Sequence, residues 1–167
     1  MALVSKELQH QLIDHDHLQL QLAALPSVQV LKAALQAGQS QLDDIFQEHK
    51  ENRINELVHA RAWLVDQILR MAWQQYSWPE EAALVAVGGY GRRELHPQSD
   101  VDLLILLGNG LDASSWHRCT QEFITFIWDL GLQIGSSVRT LEDCCEQAKN
   151  DITIATSLIE SHTIIGK

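Results

Sequence analysis

Apolar residues recur every three or four positions through the first half of the chain and give way to short unbroken runs in the second. Ser5 to Leu25, rich in Leu and Gln, predicts a first helix, interrupted at Pro26-Ser27; Val28 to about Gly38 predicts a second. The spacing is most regular from Leu42 to Tyr76. There Leu57, Val58, Arg61, Leu64, Val65, Ile68, Leu69, Ala72 and Tyr76 follow a helical period that Trp78-Pro79 ends. Trp63 and Trp73 within it are read as packing residues. Beyond Pro79 the character changes. Ala83 to Val87 is a short apolar run leading into Gly88-Gly89, the pattern of a buried strand and a tight turn. Tyr90 to Ser99 is a polar connection containing Pro97, and Asp100 to Leu107 predicts a second strand, closed by Gly108-Asn109-Gly110.

Ser114 or Ser115 is placed to cap a helix with the apolar stripe Trp116, Cys119, Phe123, Phe126, Ile127 and Leu130, and Gly131 fits its C′ position. Leu132 to Val138 predicts a third strand. Thr140 to Asp143 has the form of a capping box opening a helix to about Lys149, and Asp151 of a cap for a last helix through Glu160. Helices followed by β-turn-β-α-β-α-α describe an α/β (α+β) domain: a small mixed sheet with helices, preceded by a helical extension. The division expected is 1–78 for the extension and 79–167 for the core.

Length and charge narrow the function. A chain of 167 residues suffices for one domain with a core. Its formal net charge of −10 argues against a nucleic-acid partner, whose phosphates need a basic surface. No run of eighteen apolar residues predicts a membrane span, and Met1 to Gln11 lacks the form of a secretory signal, so a cytoplasmic location is expected. Cys119, Cys144 and Cys145 form neither a disulfide framework nor a zinc spacing. The histidines outside the motif below are expected on helices and exposed.

The candidate chemistry centres on two aspartates. In a strand, residues i and i+2 point to one face, so Asp100 and Asp102 project side by side while Val101 points into the core. Adjacent carboxylates repel, and become favourable together around a divalent cation; Mg²⁺ takes one or two carboxylates plus substrate phosphates. The strand running into Gly88-Gly89 leaves room for phosphate oxygens beside backbone N–H groups. A helical turn starting near Tyr90 would add its dipole. Arg92 suits a phosphate contact and a surface ion pair equally well, Ser99 a phosphate contact or a turn cap. Arg139 is expected to touch substrate, and His96, before Pro97, to be a loop residue. Asp-x-Asp alone is a weak signal: chance supplies on the order of 0.4 such pairs in a chain this long, and Asp14-His15-Asp16 is another, expected within the first helix. Gly-Gly a dozen residues earlier cuts that rate by roughly two hundredfold, which makes the composite a strong signal of nucleotidyl transfer assisted by metal ions.

The stretch Val87-Gly-Gly-Tyr-Gly-Arg-Arg-Glu-Leu-His-Pro-Gln-Ser-Asp-Val-Asp-Leu-Leu-Ile-Leu106 resembles the active-site segment of the bifunctional uridylyltransferase/uridylyl-removing enzymes. So do Phe126-Ile-Trp-Asp-Leu-Gly-Leu-Gln-Ile-Gly-Ser-Ser-Val-Arg-Thr140 and Asp151 to Glu160. The resemblance covers residues 83–160 best and implies the N-terminal nucleotidyltransferase portion of that family, with a polymerase-β-like fold. It implies UMP transfer from UTP to a tyrosine of the PII nitrogen-regulatory protein, with Mg²⁺ or Mn²⁺. Gly88, Gly89, Asp100 and Asp102 fall on the family's nucleotide and metal positions. The family more often has Gly where Arg93 stands, and His where Ser136 stands; Arg93 is expected to narrow the phosphate loop. Asp129 and Asp151 are candidates for a third carboxylate. The family's HD hydrolase and glutamine-sensing ACT domains have no counterpart in these residues, so neither uridylyl removal nor glutamine sensing is expected of them. The rival readings are a non-catalytic nucleotide-binding or regulatory module, and a small nucleotidyltransferase with another acceptor.

Overall fold

The computed structural model describes residues 3–49 and 53–166. Four helices precede the sheet: α1 (Lys6–Leu12), α2 (His15–Ala24), α3 (Ser27–His49) and α4 (Ile54–Trp73). The single helix expected over Ser5 to Leu25 is therefore two. Ser5 caps α1; the chain then extends through Ile13, and Asp14 caps α2 by accepting the His17 N–H at 3.1 Å. A carboxylate that close to free N–H groups starts a helix more readily than it continues one. Asp14-His15-Asp16 is thus a cap and a first turn rather than mid-helix.

Gly38 does not end the next helix. It lies inside α3, where a Cβ would come 2.7 Å from the Leu64 side chain of α4, so its missing side chain lets the two helices close together. The regular stretch from Leu42 is accordingly divided: its first residues finish α3, residues 50–52 lie outside the described residues, and α4 carries the rest.

The sheet follows: β1 (Ala82–Ala86), the one-turn helix α5 (Gly88–Gly91), β2 (Val101–Leu107), α6 (His117–Asp129), β3 (Ile134–Thr140), α7 (Leu141–Asn150), α8 (Ile152–Ile159) and β4 (His162–Gly166). The strand order is β3-β2-β1-β4, with β2 and β3 parallel and the other pairs antiparallel. β3 begins two residues later than expected. β4 was not expected; it adds to the edge of β1, and that pairing defines it. Capping at α6 also differs. Asp112, not Ser114 or Ser115, accepts the Ser114 N–H and starts a 3-10 turn (Ala113–Trp116) that leads into α6. Gly131 takes the left-handed C′ conformation (φ 92°), the Thr140–Asp143 capping box forms, and Asp151 caps α8.

One large apolar cluster joins helices α1 to α4 and α6 to one sheet face, through Val101, Leu103, Ile105 and Leu107 of β2. A smaller one covers the other face: Ala83, Val85, Leu104 and Cys144, with Leu106 and Leu158 against them. Trp73 stacks on Trp78 at 3.8 Å and meets Phe123 edge-on, while Trp63 packs edge-on to His15. Among the described residues, no helix is long and apolar enough to cross a membrane.

Candidate nucleotide and metal site

One end of the sheet gathers the candidate residues. β1 ends at Ala86 opposite Leu103, β3 begins at Ile134 opposite Val101, and β4 begins at His162 opposite Ala86. The turn after β1, the segment before β2 and the starts of β3 and β4 therefore meet. Asp100 is exposed just ahead of β2, and Asp102, half-buried, is its second residue.

The Asp102 carboxylate sits between two glycines. A Cβ on Gly88 would stand 2.8 Å from Oδ2, and one on Gly135, its register partner on β3, 2.9 Å from Oδ1. Gly88 also holds φ at +64°, which favours glycine. The Val87 N–H donates to the Asp102 carbonyl at 3.1 Å and fastens the turn to β2. Burial, and after it the charge of Asp100, raise the Asp102 pKa above the ordinary carboxylate value. Two like charges, one partly desolvated and walled by bare backbone, are the donor set a hard divalent cation stabilises, so these residues fit Mg²⁺ or Mn²⁺. Among the described residues, no group of three His, Cys, Asp or Glu is placed to share an ion. Asp129 ends α6 and Asp151 is occupied as the α8 cap, accepting the Thr153 N–H at 2.8 Å.

Gly88 and Gly89 open α5, which is a single turn and too short for a macrodipole to matter. It offers its N–H groups directly. Those of Gly91 and Arg92 return to Val87 and Gly88, and the N–H groups ahead of them have no acceptor within the turn. The space a Cβ would take at Gly89 is open as far as Arg92 Nη2, 3.6 Å away. Arg92 is exposed and paired to Glu160 at 2.8 Å and to Glu94 at 3.5 Å. Arg93 is directed at Asp66 of α4 (Nη1 to Oδ2, 3.7 Å), so Arg92, not Arg93, borders the glycine turn. Ser99 is exposed in a turn, its N–H on the His96 carbonyl at 3.1 Å, and lines a groove with His96 and Gln133.

Arg139 stands four residues beyond Gly135 on β3, on the order of 13 Å along the strand, beside Asp143 and Cys144. The structure thus brings Gly88, Gly89, Asp100, Asp102 and Arg92 to one end of the sheet, with Ser99 adjoining, and leaves Arg139 toward the other.

Two features escaped the sequence reading. Gly135 was one; an isolated glycine within a strand signals a close approach, and that signal was present in Gln133-Ile-Gly135. It also lines a groove of about 520 Å³ with Asp100 and the exposed Trp128. The other is His162, expected to be exposed on a helix. It is buried on β4 against Asp66, a side chain nearly a hundred residues away for which no local pattern exists.

Residues 65–152 match the family described as Nucleotidyltransferase domain. The chain is 46% identical over 159 residues to the bifunctional uridylyltransferase/uridylyl-removing enzyme of Pseudomonas putida. It is 47% identical over 158 residues to that of Azotobacter vinelandii and 45% over 159 residues to that of Pseudomonas fluorescens. Each alignment covers 93% of this chain and 17% of the relative, so the chain spans about a sixth of the length of these relatives.

Proposed function

Because the chain belongs to the nucleotidyltransferase domain family, we propose that it transfers UMP from UTP to a tyrosine hydroxyl of the PII regulatory protein, releasing pyrophosphate. A new bond forms between the tyrosine oxygen and the α-phosphorus, the bond to pyrophosphate breaks, and the hydroxyl proton leaves to solvent. The observation that carries this reading is the Asp102 carboxylate held between Gly88 and Gly135 with Asp100 beside it. Asp100 and Asp102 would hold Mg²⁺ or Mn²⁺, which neutralises phosphate charge and makes the α-phosphorus a better electrophile. Gly88 and Gly89 admit phosphate oxygens to the backbone N–H groups of the turn. Arg92 exchanges Glu160 and Glu94 for the triphosphate, Ser99 contacts it from the adjoining turn, and Arg139 meets substrate beyond it. Residues 1–78 serve as a helical extension to the core of residues 79–167, in a cytoplasmic protein.

The test is transfer of labelled UMP from UTP to purified PII with Mg²⁺, by this chain and by its Asp102→Asn variant. Transfer by the parent alone is the expected result. Equal transfer by both removes the carboxylate from the reaction. Metal-dependent UTP binding with no transfer supports the non-catalytic binding module instead, and transfer to a different acceptor supports a small nucleotidyltransferase of other specificity.

A further inference from the structure

Beneath the glycine turn lies a buried polar cluster that the reading above leaves unused. Asp66 on α4 is 3% exposed, and His162, the first residue of β4, is 9% exposed. Tyr90, inside the turn and 1% exposed, donates its hydroxyl to Asp66 Oδ1. Burial, and after it the Asp66 charge, hold that hydroxyl well above its ordinary pKa, so it remains a donor. His162 Nε2 stands 3.1 Å from both Asp66 oxygens, and Nδ1 stands 3.0 Å from the Gly91 carbonyl. The Gly91 carbonyl and the Asp66 carboxylate both accept, so the ring is placed to donate from Nδ1 to the turn and from Nε2 to α4. Just past the turn, the Arg93 carbonyl accepts from His59 Nδ1 at 2.7 Å, and the Arg93 guanidinium faces Asp66.

The two residues of the glycine turn's latter half, Tyr90 and Gly91, are thus tied to α4 and β4 by directional bonds. Apolar contact alone would hold α4 against the sheet at lower desolvation cost, since a buried carboxylate is expensive unless it is fully satisfied. What hydrogen bonds add is orientation. The turn they orient is the one whose first residue closes on Asp102.

We propose that Asp66, Tyr90 and His162 are positioning residues for nucleotide binding: they lock Gly88–Gly91 in place against Asp102, so that the triphosphate meets a preset backbone. This rests on the nucleotidyl-transfer reading above. A cluster that merely filled space would tolerate loss of its polar atoms without any change at the turn.

The test compares Tyr90→Phe, His162→Asn and His162→Gln in the full chain, by amide hydrogen exchange over residues 87–93 and by UTP affinity with Mg²⁺. Asn sets a donor where Nδ1 stands, keeping the bond to Gly91 and losing the one to Asp66; Gln sets one where Nε2 stands and does the reverse. Tyr90→Phe and His162→Gln should exchange faster over the turn and bind UTP on the order of tenfold more weakly, with His162→Asn, which keeps the bond to the turn itself, impaired less than His162→Gln in both. Unchanged exchange in Tyr90→Phe and His162→Gln, or equal impairment by Asn and Gln, overturns the proposal. Should both His162 variants fail to fold, exchange and UTP affinity in Tyr90→Phe decide it. A parent chain that binds no UTP counts against the nucleotide reading; the exchange signature of the lock is read without ligand and stands or falls separately.

Discussion

Gly135 faces Asp102 across the parallel β2–β3 ladder so closely that a methyl group on it would lie 2.9 Å from Asp102 Oδ1. Gly135 is exposed and its φ is not left-handed, so alanine is compatible with the backbone there. Gly135→Ala should therefore fold normally and push the carboxylate out of place. The Mg²⁺ needed for half-maximal transfer should rise on the order of tenfold, as when a neighbour that orients a metal ligand is disturbed. A metal titration of initial rates checks this, and an unchanged midpoint would remove Gly135 from the site. Gly88→Ala crowds Oδ2 from the other side and adds backbone strain, so it should lose both metal affinity and stability.

Arg93 is one of two non-glycine residues at positive φ among the described residues, at 63°. An L-residue there costs roughly 1–2 kcal/mol relative to the right-handed conformation. The side chain recovers part of this through its contact with Asp66, which also has Tyr90 and His162 as partners. Arg93→Ala keeps the strain and loses the contact, whereas Arg93→Gly loses both. The glycine variant should be the more stable of the two by about 1 kcal/mol. Denaturant midpoints on the pair measure this directly, and the reverse order would show that the Arg93 backbone is not strained.

Gly38 separates two opposing effects. Alanine in a helix interior gains about 1 kcal/mol over glycine, but its Cβ would stand 2.7 and 2.8 Å from the two methyl carbons of Leu64. Leu64 is fully buried and has nowhere to swing. Overpacking of this kind costs typically 1–3 kcal/mol, so Gly38→Ala should be neutral to destabilising by up to about 2 kcal/mol. Leu64→Ala should convert the same substitution into a stabilising one. A double-mutant cycle by thermal unfolding reads the coupling, and additive effects would show that α3 and α4 do not meet at Gly38.

The same glycine shows what local sequence discloses. The elements around Gly88-Gly89 and Asp100-Val-Asp102 were legible because their pattern is written in neighbouring residues: an apolar strand, a glycine turn and a second apolar strand. The capping box at Thr140 and the cap at Asp151 were legible for the same reason. Gly38 looks like a helix end because glycine is a poor helix former, and only contact with Leu64 explains its place inside one. His162, Asp66 and Tyr90 come together from three separate elements, and β4 itself is defined by its pairing with β1 rather than by its five residues. Such features depend on tertiary contact, which hydrophobic periodicity does not encode.

Asp102 makes the metal reading testable without turnover. Its pKa in the folded protein is raised, by burial first and the Asp100 charge second, above the roughly 3.9 of an unfolded aspartate. The native state thus binds more protons than the unfolded one between those two values, and stability falls as pH rises through that interval. At pH 7 the whole penalty is present in metal-free protein. Asp102→Asn removes it, so with chelator at pH 7 the variant should melt above the parent, and the gap should close as pH falls below about 4. Adding Mg²⁺ should raise the melting temperature of the parent and leave the variant unmoved, because an ion that binds only the native site stabilises it by mass action. Transfer activity should vanish in the variant throughout. Thermal unfolding of both proteins at several pH values, with chelator and with Mg²⁺, reads all of these effects. A variant less stable than the parent with chelator at pH 7, or one stabilised by Mg²⁺ as much as the parent, would mean that Asp102 is a structural carboxylate and the ion binds elsewhere.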